Sequence, residues 1–408
     1  MKYKSSFLII FILILFFIGC RTNKQPLAPQ QKPAQDLINN NEFVSINNQF
    51  SFTLFQQINQ AKQDSNVFIS PFSVSMALGM ALNGAVGNTF DQIKSVLGLE
   101  NYDLTSVNQT YQSYFSQLQN LDEQVILEIA NSIWYHKTFN VLPSFLEVNR
   151  QYFNAEVYKA DFSDPATVTA INNWVKQKTH DKIEKILDYI SRDAVLYLLN
   201  ALYFKGTWQY AFDPNETRDW TFNSTTPRIV KMMFMSRRLP HLLTDRFEMV
   251  VLPYGKGNFN MAIMLPHSGT DPNQLIASMD FSTWQAYLQS CQTDSGTVGL
   301  PKFKMKFSMI LNDLLKEMGM PDAFSPAKAD FTKITADGGI FISIVKHKTF
   351  VEVNEQGTEA AAVTLIGFER TAADFFEMIC DRPFVFFIYE KDSQAILFMG
   401  KVLNPPQE

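Results

Sequence analysis

The sequence predicts an α+β fold around large, mainly antiparallel β-sheets. Helical spacing dominates the first half of the chain and strand alternation the second, with mixed connections, the pattern of helices set against antiparallel sheets. The chain also carries 36 phenylalanines, and aromatic side chains favour the half-buried pleated surface of a strand. Its 408 residues, 46% hydrophobic and 18% charged, suffice for a sizeable core.

Lys2 and Lys4 precede a short apolar run over residues 7–18, which closes at Gly19-Cys20. The run is too short for a comfortable membrane-spanning helix and has the layout of an export signal. A small residue before cysteine resembles the bacterial lipoprotein signal, in which the cysteine is lipidated and becomes the new N-terminus. Phe17 stands where that signal usually has leucine, and the alternative is an ordinary signal peptide with an incidental Cys20. We expect residues 1–20 to be a lipoprotein-type signal, residues 21–42, rich in Gln, Pro, Asn and Lys, to be a flexible tether, and residues 43–408 to form one domain, since no repeat or second linker interrupts them. A net charge of −5 and no Lys/Arg block beyond the N-terminus argue against nucleic-acid binding. Cys291 and Cys380 are too few and too far apart for a disulfide framework or a metal site; they can pair or stay free.

Residues 50–58 have helical spacing. Ser70-Pro71 opens a second helix, with proline in its first turn, broken by Gly84 and Gly87. Thr89 is expected to cap a short helix ending at Gly98. Residues 125–135 read as a strand, 143–154 as a helical hairpin, and 168–187 as containing a helix at 171–175. Residues 194–204 are apolar almost without interruption, as in a strand covered on both faces. Asn200 inside that run needs hydrogen-bond partners, since an unpaired buried amide costs about 1–3 kcal/mol. Strands at 247–252 and 260–265 flank the hairpin signal Pro253-Tyr254-Gly255-Lys256-Gly257. Residues 298–307 alternate, 312–318 are helical, 340–354 form a long strand, 365–381 have no clear period, and 384–389 with 395–402 form a closing hairpin.

No pair of the five histidines has metal-ligand spacing, and the chain has no Gly-x-Ser-x-Gly elbow and no phosphate-binding loop, so no catalytic residue, metal or cofactor is expected. His347, among Ile344, Val345 and Phe350, reads as a core histidine able to share a polar network with Asn200. The tract from Glu355 to Thr364 differs from everything else. One face of it, read as a strand, carries Thr358, Ala360, Ala362 and Thr364, all small and uncharged, and the other carries Glu359. In isolation it reads equally as a helix start capped by Thr358.

Several stretches, in order and covering nearly all of residues 43–406, resemble the serpins, the serine protease inhibitor family. They are Asn66-Val67-Phe68-Ile69-Ser70-Pro71-Phe72-Ser73, Asn200-Ala201-Leu202-Tyr203-Phe204-Lys205-Gly206-Thr207-Trp208, Glu355-Gln356-Gly357-Thr358-Glu359-Ala360-Ala361-Ala362, Asp381-Arg382-Pro383-Phe384 and Leu397-Phe398-Met399-Gly400-Lys401-Val402. The resemblance implies three β-sheets, about nine helices and an exposed reactive-centre loop over about residues 355–382. It implies an irreversible suicide-substrate inhibitor: a protease attacks the loop, and the cleaved loop inserts into the central sheet and traps the acyl-enzyme. Glu355, Gly357, Thr358, Glu359, Ala360, Ala361 and Ala362 match the hinge of inhibitory members. Ser70, Ser73, Asn200 and His347 match the polar shutter beneath the sheet's opening point, and Trp208 matches the breach where insertion begins.

The reactive bond is Thr371-Ala372 if counted forward from Glu355 in the usual way, and Arg370-Thr371 if the loop is shorter by one. Threonine there suits elastase-like or subtilisin-like proteases and arginine trypsin-like ones. From Gly357 to Thr371 an inserted strand would span ~45 Å. The implied partners are such serine proteases, with cysteine proteases as a wider class, and a membrane through a lipid on Cys20. The protein is expected to be a monomer, exported to a bacterial outer membrane or cell surface, periplasm-facing or released. No basic cluster lies between residues 97 and 114, so no heparin-type cofactor is expected. The alternative is a non-inhibitory serpin acting as a binding protein or chaperone, whose hinge would usually carry charged or bulky residues.

Overall fold

The computed structural model describes residues 41–358 and 375–406. Nine α-helices are present among the described residues: α1 (Asn41–Ala61), α2 (Pro71–Leu82), α3 (Gly87–Val96), α4 (Leu104–Gln119), α5 (Pro143–Phe153), α6 (Pro165–Lys178), α7 (Pro272–Ala277), α8 (Phe281–Ser290) and α9 (Asn312–Glu317). The strands are β1 (Val67–Ile69), β2 (Val125–His136), β3 (Glu156–Ala160), β4 (Leu196–Thr207), β5 (Arg218–Phe222), β6 (Arg228–Leu243), β7 (Phe247–Tyr254), β8 (Phe259–Pro266), β9 (Gln292–Pro301), β10 (Phe303–Ile310), β11 (Lys346–Val353), β12 (Gly357–Thr358), β13 (Phe375–Ile379), β14 (Phe384–Glu390) and β15 (Ile396–Val402).

They form three hydrogen-bonded sheets. One runs β1-β15-β14-β8-β7-β6-β9-β13 with β5 beside β6, the second β12-β4-β2-β3, and the third is the β10-β11 pair. All neighbours are antiparallel except β2 with β3 and β9 with β13. The α+β architecture with three sheets therefore stands as expected. Strands β8, β14 and β15 are buried along their whole length, which explains why they are mostly apolar. Helix α2 is almost wholly buried too. Its start follows from Ser70, whose extended backbone lets the side-chain oxygen accept the Ser73 N–H at 3.3 Å, and from Pro71 in the first turn.

Several elements differ from the sequence reading. Residues 143–153 form the single helix α5, ended by Asn154 in the left-handed region (φ 54°), in place of a helical hairpin. Thr89 does not cap α3, which starts two residues earlier; its buried hydroxyl accepts the Asp330 N–H at 2.9 Å. The alternation over 298–307 is split at Lys302 between β9 and β10, which lie in different sheets. Strand β11 begins at Lys346, opposite Ile310, because its partner β10 ends there and the chain turns into α9. Strand β4 alternates between buried and half-buried residues, so Asn200 is half-buried. The reactive loop expected at 355–382 is not wholly exposed: Gly357-Thr358 and Phe375–Ile379 are strands. Neither Cys291 nor Cys380 is in a disulfide.

Candidate functional site

Strand β4 pairs with β2 along one edge. Along its other edge, among the described residues, only the two residues of β12 are bonded to it, Gly357 opposite Thr207 and Thr358 opposite Gly206. Strand β11 belongs to the separate β10-β11 ladder and shares no hydrogen-bonded register with β4 among the described residues.

A tight reversal joins β11 to β12. Asn354 N–H donates to Gly357 O at 3.0 Å and Gly357 N–H to Asn354 O at 3.2 Å, while Asn354 Oδ1 accepts the Gln356 N–H at 3.0 Å. Gly357 has φ +143°, and a Cβ there would lie 2.1 Å from Gly206 O, so only glycine fits. Thr358 is 3% exposed, and its hydroxyl lies 2.7 Å from the phenol of buried Tyr254. Trp208 stacks on Tyr254 with centroids 4.4 Å apart and planes 10° off parallel. Its indole N–H donates to Asn354 O at 3.0 Å and its backbone N–H to Gln356 O at 2.8 Å. Glu355 is held by Lys302 Nζ at 3.1 Å and by the Thr217 hydroxyl, which donates at 2.9 Å. Burial acts to raise the Glu355 pKa, but its hydrogen bonds, including those from Lys302 and Thr217, hold it below the usual carboxylate range.

Lower on β4, side chains from four elements converge. Ser73 Oγ donates to Asn200 Oδ1, Asn200 Nδ2 donates to Asn131 Oδ1 at 2.7 Å, and Asn131 Nδ2 donates to Phe153 O at 2.7 Å. Ser70 N–H donates to His347 Nε2 at 3.0 Å, and Thr349 Oγ1 donates to Phe68 O at 2.5 Å. His347 thus joins Asn200 through Ser70 and Ser73, as the sequence suggested. Burial lowers its pKa to about 4, and accepting a backbone N–H fits the neutral ring.

Over the outer face, the segment after α6 spans from β4 towards β11. Lys348 Nζ donates to Lys185 O at 2.6 Å, and Lys346 pairs with Asp188 at 3.2 Å. Beneath α6, Trp174 and Ile171 pack with Tyr197 and Leu199 of β4.

Of the residues singled out by sequence, the structure brings Glu355, Gly357, Thr358 and Trp208 together above and Ser70, Ser73, Asn200 and His347 together below. Cys20, Glu359, Ala360, Ala361, Ala362, Arg370, Thr371 and Ala372 lie outside the described residues. Tyr254, Lys302, Thr217 and Asn131 went unnoticed. Tyr254 sat in a turn motif, and Lys302 read as one of the alternating lysines Lys302, Lys304 and Lys306 of a single strand. Among the described residues no cluster of three or more His, Cys, Asp or Glu could hold a metal, and no helix is long and apolar enough to cross a membrane.

The sequence pattern of the family described as Serpin (serine protease inhibitor) matches residues 45–405. The chain belongs to the serpin family. This serpin is 36% identical over 376 residues to iripin-5 of Ixodes ricinus, covering 89% of the chain and 94% of that protein. It is 34% identical over 379 residues to the leukocyte elastase inhibitor of Sus scrofa, covering 89% of the chain and all (100%) of that protein. Native tengpin, a thermophilic serpin, superposes with a TM-score of 0.82 at 32% identity, over 89% of the chain and 94% of tengpin. Thyroxine-binding globulin in complex with thyroxine also superposes with a TM-score of 0.82, at 29% identity, over 90% of the chain and 100% of that protein. Family membership makes the chain a protease inhibitor by class and not an enzyme.

Proposed function

We propose that this serpin is an irreversible suicide-substrate inhibitor of serine proteases, and that β12 is the first step of the strand it inserts. The observation that carries the reading is the pairing of Gly357-Thr358 with Thr207-Gly206 on an edge of β4 that β11 does not share. Continued in the same register, Thr364 would come opposite Asn200 and Phe368 opposite Leu196. Residues directly opposite in an antiparallel pair share a face, so Thr358, Ala360, Ala362 and Thr364 would point inward, towards Ser73 and His347. Small uncharged side chains can pass that way, whereas a charge would be desolvated at high cost. In the reaction, the protease serine attacks the scissile carbonyl, the peptide bond breaks, and the amine side leaves. The acyl-enzyme ester is carried down the sheet with the inserting strand, where the distorted protease fails to hydrolyse it.

Elastase-like targets are supported by the name of the Sus scrofa relative, and the bond is Thr371-Ala372 or Arg370-Thr371. We further propose export with a lipid on Cys20, tested by palmitate labelling of the parent and a Cys20→Ser variant. Mixing the serpin with elastase, subtilisin and trypsin should give an SDS-stable covalent complex with at least one. If each protease only nicks the loop and stays active, the reading fails. Likeness to thyroxine-binding globulin favours the second reading, a binding protein, which requires that loop cleavage bring no gain in thermal stability.

A further inference from the structure

A cavity of about 240 Å³ lies between the lower half of β4, helix α2 and the strand-free residues 340–345. Its walls are mostly apolar, with Ala77 from α2, Leu196 and Leu198 from β4, and Ile340, Ile342 and Ile344 from the facing segment. In the register of β12, Ile366 would come opposite Leu198 and Phe368 opposite Leu196, both on the inward face. The cavity is therefore where the inward side chains of Ile366 and Phe368 would pack.

Lys346 and Lys348 line the same cavity. Each is half-buried and, by strand alternation, on the face opposite His347 and Thr349. Lys346 pairs with Asp188, and Lys348 gives a hydrogen bond to the Lys185 carbonyl. Burial first, then the ammoniums of Lys346, Lys185 and Lys306, hold Lys348 below the usual lysine range against the pull of Asp188. A crowded ammonium of this kind is relieved by an anion. Asp188 nearby and Asp193 in the wall limit the favourable ligand charge to one.

We propose that this cavity binds an amphipathic monocarboxylate, an unbranched acyl chain with its carboxylate at Lys346 and Lys348, and that the bound chain blocks loop insertion by occupying the space of Ile366 and Phe368. The blocking half rests on the inhibitor reading above. The binding half does not.

Calorimetric titration of the full chain with dodecanoate, below its micelle concentration, should show one site per chain. Lys348→Gln should weaken dodecanoate at least tenfold while leaving neutral dodecanol bound as tightly as by the parent. Ala77→Phe, which fills the cavity from α2, should abolish both. No saturable binding, or equal dodecanoate affinity in the parent and Lys348→Gln, overturns the site whether or not Ala77→Phe folds. Saturating dodecanoate should slow covalent complex formation with the most reactive protease at least fivefold, and an unchanged rate at saturation overturns the blocking role. If the parent forms no complex with any protease, the inhibitor reading has failed and blocking falls with it, while the titration still decides the site.

Discussion

Glu355 shows how much the upper site asks of single residues. Its carboxylate is mostly withdrawn from water and is held by Lys302 and Thr217. Removing one partner of such a pair leaves a charge poorly solvated, and a hydrogen bond to a charged group is worth about 1.5–3 kcal/mol. Lys302→Ala should therefore lower the unfolding free energy read from urea denaturation by that order, and adding Glu355→Gln should recover part of the loss. Additive losses in the double variant would show that the two residues are not coupled. His347 is the titrating group of the lower cluster. Its folded pKa of about 4 lies below the unfolded value near 6.5. The unfolded chain then binds the proton more readily, so stability is full above about pH 6.5 and falls as the pH drops, levelling off below about 4. The loss attributable to this residue is about 3 kcal/mol. Denaturation midpoints between pH 7.5 and 4.5 should fall more steeply in the parent than in His347→Gln; equal slopes would exclude His347 as the source.

Among the elements, β12 is the smallest and the most informative. A Cβ at position 357 would strike Gly206 O, so Gly357→Ala should expel the reversal from β4. Hydrogen exchange at residues 206–208 should then rise at least tenfold in that variant, and unchanged protection would mean that the turn tolerates the side chain. Thr358→Arg would have to bury a guanidinium beside Tyr254, and it should convert the inhibitor into a substrate, with complex yield down at least tenfold. Long elements were legible in the sequence where one force dominated. Proline after a capping serine marked α2, and two apolar segments at 384–389 and 395–402 marked β14 and β15 as a hairpin. Helix α4 was missed although Val107, Tyr111, Tyr114, Phe115 and Leu118 recur at helical spacing on its buried face, and although Asp103 caps it, its carboxylate accepting the Ser106 N–H at 3.0 Å. Strand β13 was missed because it lies at a sheet edge with only Met378 of its five residues buried, so no apolar alternation marks it. The split at Lys302 does leave a mark, since the buried positions change from Val298 and Leu300 in β9 to Phe303, Met305 and Phe307 in β10, but the phase change of one residue was passed over.

At the scale of the whole molecule, the sequence announced the lower cluster through Ser70, Ser73, Asn200 and His347, and the structure supplied the wiring, with Asn131 as an unforeseen member. It did not announce that Gly357 and Thr358 already pair with the edge of β4. If the loop completes that strand, roughly ten new ladder hydrogen bonds form, each worth about 1 kcal/mol net. One kcal/mol moves the thermal midpoint of a large domain by about 2–4 °C, so cleavage in the loop should raise it by more than about 20 °C. A scan of intact and nicked protein tests this, and coincident midpoints would favour the binding-protein reading. Sequencing the small fragment released from a protease complex would decide between Arg370-Thr371 and Thr371-Ala372.

The reversal at Asn354–Gly357 also fixes a parity. Because Gly357 is locked opposite Thr207, a loop that inserted behind it would place every even-numbered residue on one side of the sheet and every odd-numbered residue on the other, as in a two-letter reading frame. A single residue inserted before Thr364 would exchange the two sides below it, whereas two residues would restore them. The hinge should therefore tolerate changes of length only in pairs. An alanine inserted after Ala361 should abolish complex formation, and a second alanine beside it should bring complex formation back.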